Sequence, residues 1–454
     1  MNIWLFNPFD LLPWEGKPQR YATLASCLAE QGHAVVHWSS GFSHSFKKRR
    51  VIPEDFDLAA LPYAIELVDC PAYTSNVSLR RLINHAQYGK GLVREGRRAV
   101  ASGRHTPPDL ILASMPPMEG PAAALKLKQH FGCKVVLDVM DAWPETLRQA
   151  MPGAGSGEQG AGSGVTAVLR PLSSAILWPY YRMLRRACRE SDAVCAQSKA
   201  FADFAREHGA KGEIPVFYLG AEPPHRCRAA ERRSCGPPLL SEQEGSGVRV
   251  GEELPVEERA TDTPQPPLRL LYLGAMGRSY DLGTLFDAVE QLNRQGPKVS
   301  LAMVGEGEKR SALEARQLAH VQFTGFMSGE SLVAQLQHAD VGIVPFLPGS
   351  GVAMPYKAGE YLAYGLPVIS SIDGELGALL KAYTCGMTYT AGRADSLVTA
   401  IQAYLHDSAK LAREKEAALS CYYATFNREK IYPDFAQWIE SLPSLRGDDS
   451  FSRF

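Results

Sequence analysis

Twice along this chain short apolar runs of strand length alternate with longer amphipathic segments, and between the two series lies a stretch with no apolar rhythm. Such alternation points to parallel sheets covered by helices, because a strand reaches a parallel neighbour only through a crossover of a dozen residues or more. In the first series the strand-like runs are 3–7, 34–38, 110–113, 134–139, 193–196 and 215–219, with helical patterns at 19–31, 79–101, 121–130 and 198–208. In the second, strands are expected at 268–273, 299–304, 321–324, 341–344 and 367–370, and helices at 282–293, 309–318, 331–337, 355–364, 394–406 and 411–441. Residues 222–267, rich in Pro, Glu, Arg and Gly, read as a linker. At 454 residues the chain exceeds what one core serves. The predicted architecture is α/β, with two doubly wound Rossmann-like domains facing a central cleft. They occupy residues 1–221 and 268–425, and a last helix and tail over 426–454 return towards the first domain. A Gly/Ser tract at 152–164 interrupts the first domain where a lid over an acceptor would sit.

Charge separates the halves more than the formal net of −1 suggests. Residues 1–220 hold 25 Lys and Arg against 20 Asp and Glu, and the rest hold 23 against 29. A mildly basic first half suits an anionic acceptor or a membrane surface as well as it suits a solvated face. The nine cysteines are dispersed, with no Cys-x-x-Cys pair, so neither a disulfide framework nor structural zinc is indicated and a reducing cytoplasm fits. The N-terminus reads as a first strand rather than a signal peptide, and no apolar run is long enough to span a bilayer. Around 165–190 an apolar stretch carries Trp178 and then Arg182, Arg185, Arg186 and Arg189. That pattern describes either a helix packed on a sheet or one lying on the cytoplasmic face of an anionic membrane.

In doubly wound sheets ligands bind at the carboxyl ends of strands, and five motifs of the second half fall there. The strongest is residues 354–370, where Pro355 opens a helix, Gly365 ends it and Pro367 leads into a strand. Lys357 in the first turn opposes the helix dipole unless an anion neutralises it, and the free N–H groups there suit phosphate oxygens. Glu360 lies on the same face, within reach of a ribose diol, and Tyr361 follows it. Gly274 and Gly277 after the strand at 268–273 let backbone approach a phosphate, and Arg278 offers a planar donor. Gly305 and Glu306 end another strand. Phe326 and Met327 follow a third, where backbone could read a base, and Ser350 and Gly351 lie in a Gly-rich loop that could close over the diphosphate.

Together and in this order these pieces resemble the C-terminal domain of family 4 retaining glycosyltransferases of the GT-B fold, over about 268–406, with a weaker likeness across most of 1–220. The resemblance implies transfer of a sugar from a nucleotide-sugar donor, UDP by default, onto a glycan or lipid-linked acceptor in cell-surface polysaccharide or glycoconjugate assembly. It implies that Lys357 and Glu360 contact diphosphate and ribose, with Arg278 beside them. It also implies that the anomeric configuration is retained, that no metal is strictly required, and that no cofactor is needed beyond the co-substrate. One departure stands out: many members carry a second glutamate eight positions before the helix glutamate, and here that position is Val352.

On the acceptor side, residues 134–145 form a strand ending in Asp141, followed by Trp143 and Glu145, and are similar to a segment of family members that assemble polysaccharides. An acid there could orient or deprotonate an acceptor hydroxyl, with Trp143 as a flat apolar platform. Met140 stands where the family often has Arg or His. Gly16 and Arg20, in the first loop, are the candidates for meeting the donor phosphates from the opposite domain. The predicted catalytic set is Asp141, Lys357 and Arg278. The alternatives are a nucleotide-sugar epimerase, or a degenerate transferase that binds without turnover. Nucleic acid is not an expected partner.

Overall fold

The computed structural model describes residues 1–16, 19–75, 78–150, 165–222 and 267–442, with backbone alone at 149–150 and 165–176. The Gly/Ser tract 152–164 and all but the ends of the linker lie outside the described residues.

Two six-stranded sheets, both wholly parallel, carry the architecture. The first runs β5 (Ala64–Val68), β2 (Ala34–Ser40), β1 (Asn2–Phe6), β6 (Leu110–Met115), β7 (Lys134–Val139), β8 (Ala193–Ala196). The second runs β11 (Val321–Gly325), β10 (Val299–Val304), β9 (Leu268–Leu273), β12 (Val341–Val344), β13 (Val368–Ser370), β14 (Gly386–Thr388). In each sheet the chain starts at the centre, winds to one edge, returns and winds to the other. The order therefore reverses beside the first strand, between β1 and β6 and between β9 and β12. Helices leaving adjacent strands there go to opposite faces and open a crevice at the carboxyl ends. Both faces of both sheets are covered, which is why central strands such as β6 and β7 are buried along their whole length.

The strand at 215–219 is reduced to a single bridge between Ala196 and Val216, while β5, β14 and the helix Glu375–Tyr383 complete the sheets without a clear sequence signal. The long helix expected over 411–441 is broken. Ser408–Cys421 ends in a π-turn at Tyr422–Phe426, and Arg428–Ser441 starts afresh with Asn427 capping it. This break lets the last helix cross to the other domain. Tyr432, Phe435, Ala436 and Ile439 join the apolar cluster of Ile3, Leu5, Tyr21 and Leu24, and Phe435 stacks on Phe217 at 4.2 Å. Withdrawing a side chain the size of Phe435 or Ile439 from water contributes about 2 kcal/mol. The two chain segments that cross between the domains touch at Gly220, where a Cβ would lie 2.7 Å from Arg428 Cα. A second tie runs through Glu375. Its carboxylate accepts hydrogen bonds from the backbone N–H groups of Lys199 and Ala200 at 2.9 and 3.2 Å, and from the Tyr218 hydroxyl at 2.5 Å.

Candidate active site

A cleft of about 720 Å³ opens between the carboxyl ends of the two sheets. From the first domain it is walled by Met140, Asp141, Thr146, Gln197 and Phe201, and from the second by the loops after β9, β10, β11 and β12 and by the start of the helix Tyr356–Ala363. Pro355 sits just outside that helix with extended backbone, so Lys357 is its second residue. The loop before it turns on Gly349 and Gly351, both left-handed at φ +74° and +71°, a region that glycine adopts without a Cβ clash.

Lys357 is the centre of this wall. It is 8% exposed, and its ammonium has no hydrogen-bond partner among the described residues. Its Nζ lies 4.4, 4.3 and 5.4 Å from the ring centroids of Tyr272, Tyr280 and Phe346. Burial lowers its pKa to about 7, opposed by the charge of Glu360. A cation held this way is steadied by ring quadrupoles but short of oxygen partners, which suits it to an incoming anion. The glycines nearby serve this placement. A Cβ on Gly274, at φ +126°, would stand 2.9 Å from Lys357 Nζ, and one on Gly305 would meet the Gly274 carbonyl at 2.1 Å. Their first use is thus to let the β9 and β10 loops and the lysine share one small space.

Glu306, Phe326, Met327, Ser350, Gly351 and Glu360 also line the cleft. Glu306 pairs with Arg310, and Phe326 is 81% exposed on the rim. Three donor-side expectations are corrected. Arg278 is 89% exposed and paired with Glu308 at 3.1 Å. The β9 loop is pinned to β10 through the bond from Met276 N–H to the Glu306 carbonyl, and Arg278 lies outside the lining. Gly277, with open space around it, is likewise outside. Tyr361 is fully buried. Its hydroxyl accepts from Leu273 N–H at 2.7 Å and donates to the Ile343 carbonyl, and its ring lies against Gly342, so it props the sheet.

On the opposite wall Asp141 does face the cleft. Thr146 Oγ1 donates to it at 2.8 Å, and burial raises its pKa. Its neighbours are committed elsewhere. Trp143 is 3% exposed and packs beside His85 and Tyr180, so it offers no open platform. Glu145 accepts from the Tyr181 hydroxyl and from Arg148. Arg20 is buried against Asp138, with bonds of 2.8 and 2.9 Å and a third to the Phe217 carbonyl. It ties β7 to the first helix and does not reach the cleft. Gly16 is exposed and also outside the lining. Among the described residues no group of three His, Cys, Asp or Glu side chains could hold a metal. No described helix is long and apolar enough to cross a membrane. The aromatic cage was missed from sequence, because Tyr272, Tyr280 and Phe346 occupy positions that read as ordinary core.

A cation at a helix tip, facing a cleft between the switch points of two parallel sheets, defines a two-domain Rossmann-like protein with an anion-ready site between its domains. Known proteins agree with the class. The family described as glycosyl transferase 4-like domain matches residues 16–220, and that described as glycosyl transferases group 1 matches 267–407. Between them they span most of the chain, which belongs to the glycosyltransferases built from these two domains. WcaL of Escherichia coli, named for colanic acid biosynthesis, is 25% identical over 193 residues, covering 40% of this chain and 48% of that protein. The amylovoran biosynthesis glycosyltransferase AmsK of Erwinia amylovora is 25% identical over 40% of this chain and 46% of its own. The matches thus span about half the length of these relatives. Among solved structures, sucrose-phosphate synthase of Thermosynechococcus elongatus superposes with a TM-score of 0.63 at 17% identity, over 97% of this chain and 98% of that one. HepE of Anabaena, in complex with UDP, gives 0.59 at 15%, over 97% and 100%. At these identities the likeness establishes the fold.

Proposed function

We propose that this protein transfers a sugar from a nucleotide-sugar donor, with UDP the first nucleotide to try, onto a glycan or lipid-linked acceptor in polysaccharide or glycoconjugate assembly. The observation that carries the reading is Lys357: a buried ammonium without a hydrogen-bond partner among the described residues, at a helix N-terminus, facing the interdomain cleft. A diphosphate there would meet the ammonium and the free N–H groups of the helix tip together, with Glu360 near enough for ribose. Charge growing on the leaving diphosphate is what such groups stabilise. The UDP held by HepE in its solved complex and the biosynthetic names of the relatives support the choice of nucleotide and pathway class. Retention of configuration is what the family resemblance implies. In that chemistry Asp141 orients the acceptor hydroxyl across the cleft, and the donor phosphate takes its proton. Val352 replaces a carboxylate beside the sugar with an apolar wall. No metal or further cofactor enters this reading. The exposed Trp178 and the basic face of the helix Val165–Glu190 provide for contact with an anionic membrane.

Calorimetric titration with UDP, GDP and ADP, followed by nucleotide-sugar turnover in the presence of acceptor glycans, tests the reading. Binding of a nucleoside diphosphate that is lost in Lys357→Ala is the expected result. If none of the three binds, the donor site is elsewhere and the proposal fails.

A further inference from the structure

Beside the wall of the cleft that carries Asp141, four nitrogen-bearing side chains gather that donor binding does not use. Lys47 lies in the hairpin joining Phe42–Ser43 to Lys48–Arg49 and holds a left-handed φ of 55°, unusual for a long side chain. Its Nζ is 3.3 Å from His44 Nδ1 and 4.9 Å from the Tyr73 ring centroid, and His44 Nδ1 is 2.5 Å from the Tyr73 hydroxyl. Arg81 comes from the first turn of the helix Leu79–Ala101. Its guanidinium stands 5.1 Å from the Trp143 ring and 5.8 Å from Phe9, and its Nε is 3.4 Å from His85 Nε2. The Phe9 ring spans the group, 5.2 Å from His44 and 5.6 Å from His85. His85 is 1% exposed, and its Nδ1 has no hydrogen-bond partner among the described residues.

Charge makes this arrangement unusual. A helix start favours acids, yet the first turn of Leu79–Ala101 has none and carries Arg80 and Arg81. Burial and the neighbouring Arg81 lower the Lys47 pKa to about 8, and burial with Lys47 and Arg81 lowers that of His44 to about 4. Arg81 is hydrogen-bonded to Tyr73 and also lies within electrostatic reach of the Asp141 carboxylate on the cleft wall. The cluster lies behind the cleft lining and reaches it through neighbours. Trp143 follows Asp141 by two residues, and Asn7, two before Phe9, donates to Met140 Sδ at 3.8 Å.

We propose that Lys47, Arg81 and His44, enclosed by Phe9, Tyr73 and Trp143, form a subsite for a phosphate or diphosphate group on the acceptor, so placed that the acceptor hydroxyl reaches Asp141. The proposal rests on the donor reading of the cleft, since it assigns the facing wall to the second substrate. A guanidinium fork beside an ammonium matches the several oxygens of a phosphate, and the buried rings of Tyr73 and Trp143 back the cations and keep water from them. The same chemistry serves a soluble sugar phosphate or a lipid-linked sugar diphosphate.

The test is calorimetry with inorganic pyrophosphate on the full chain saturated with UDP, so that the donor wall is occupied. Pyrophosphate is expected to bind, and to bind roughly tenfold more weakly after Lys47→Asn or Arg81→Gln, the loss of one charge-assisted contact. Asparagine accepts the left-handed backbone at position 47, so thermal stability should hold or rise while binding falls, which a merely structural role for Lys47 does not predict. No pyrophosphate binding, or equal binding in both variants, overturns the subsite and leaves the donor reading standing. If none of UDP, GDP and ADP binds while pyrophosphate binding still depends on Arg81, the donor reading falls and the anion site remains. Turnover on sugar 1-phosphates and on sugars linked to farnesyl diphosphate separates the two sources. A Lys47→Asn loss in kcat/KM for either, with UDP affinity unchanged, supports the proposal, and equal use of the same sugar without phosphate overturns it.

Discussion

Two buried cations, one in each domain, have opposite surroundings. Arg20 is surrounded by oxygen: two bonds to Asp138, a third to the Phe217 carbonyl, and the ring of Phe435 beyond. Lys357 is surrounded by carbon, with three rings and no hydrogen-bond partner among the described residues. A buried ion whose charge is met by internal oxygens is part of the scaffold. One left short of acceptors next to a cleft keeps its charge for a ligand. Both residues were candidates for the same task from sequence, and only the second faces the space where that task is done.

The contrast can be broken by experiment. The largest effect should come from Arg20→Met, which strands Asp138 in the core and should cost about 3–5 kcal/mol in chemical denaturation. A cost comparable to a surface change would show that the pair is not structural. Next, Lys357→Met should lower turnover by about 10²–10³, the scale for removing one preorganised charge contact, while the melting temperature holds or rises. Normal turnover, or collapse of the fold, would erase the distinction from Arg20.

A subtler consequence concerns protons. Burial holds the pKa of Lys357 near 7 in the folded protein, below its unfolded value of 10.5. Between those values the unfolded chain binds more protons, so this residue makes stability rise with pH across the window, and below pH 7 its burial cost is fully present. An anion favours the charged form, so nucleoside diphosphate binding near pH 7–8 should take up protons. The measurement is calorimetry in buffers of different ionisation enthalpy, and the uptake should vanish in Lys357→Met. The smallest effect is expected for Arg278→Ala. That side chain is exposed and paired with Glu308, so turnover should change by about twofold at most. A hundredfold loss would mean that the β9 loop turns inward around the donor.

Much of the fold was legible. The helix at 79–101 and the strands at 134–139, 193–196, 268–273, 299–304 and 341–344 stand where apolar periodicity put them. The short strands at the sheet edges were not, because three to five mostly half-buried residues carry too little pattern. The chain from 411 to 441 reads as one helix since it holds no glycine and its one proline comes only at 433, and its break at 422–426 answers to the contact between Ala221 and Asn427, far apart in sequence.

The division at the site has the same origin. Motif chemistry together with the family resemblance picked out Lys357, Glu360 and Asp141, which line the cleft, because a lysine in a first turn and an acid at a strand end are local facts with local physics. Which neighbours join them is a matter of what lies across the space. Tyr272, Tyr280 and Phe346 converge from the strands and loops of one sheet, Arg20 finds Asp138 at a separation of 118 residues, and Arg278 turns to Glu308. Burial and partner choice are decided by packing between distant segments, so the sequence could name a charged residue but only the tertiary structure could say whether its charge was already spent.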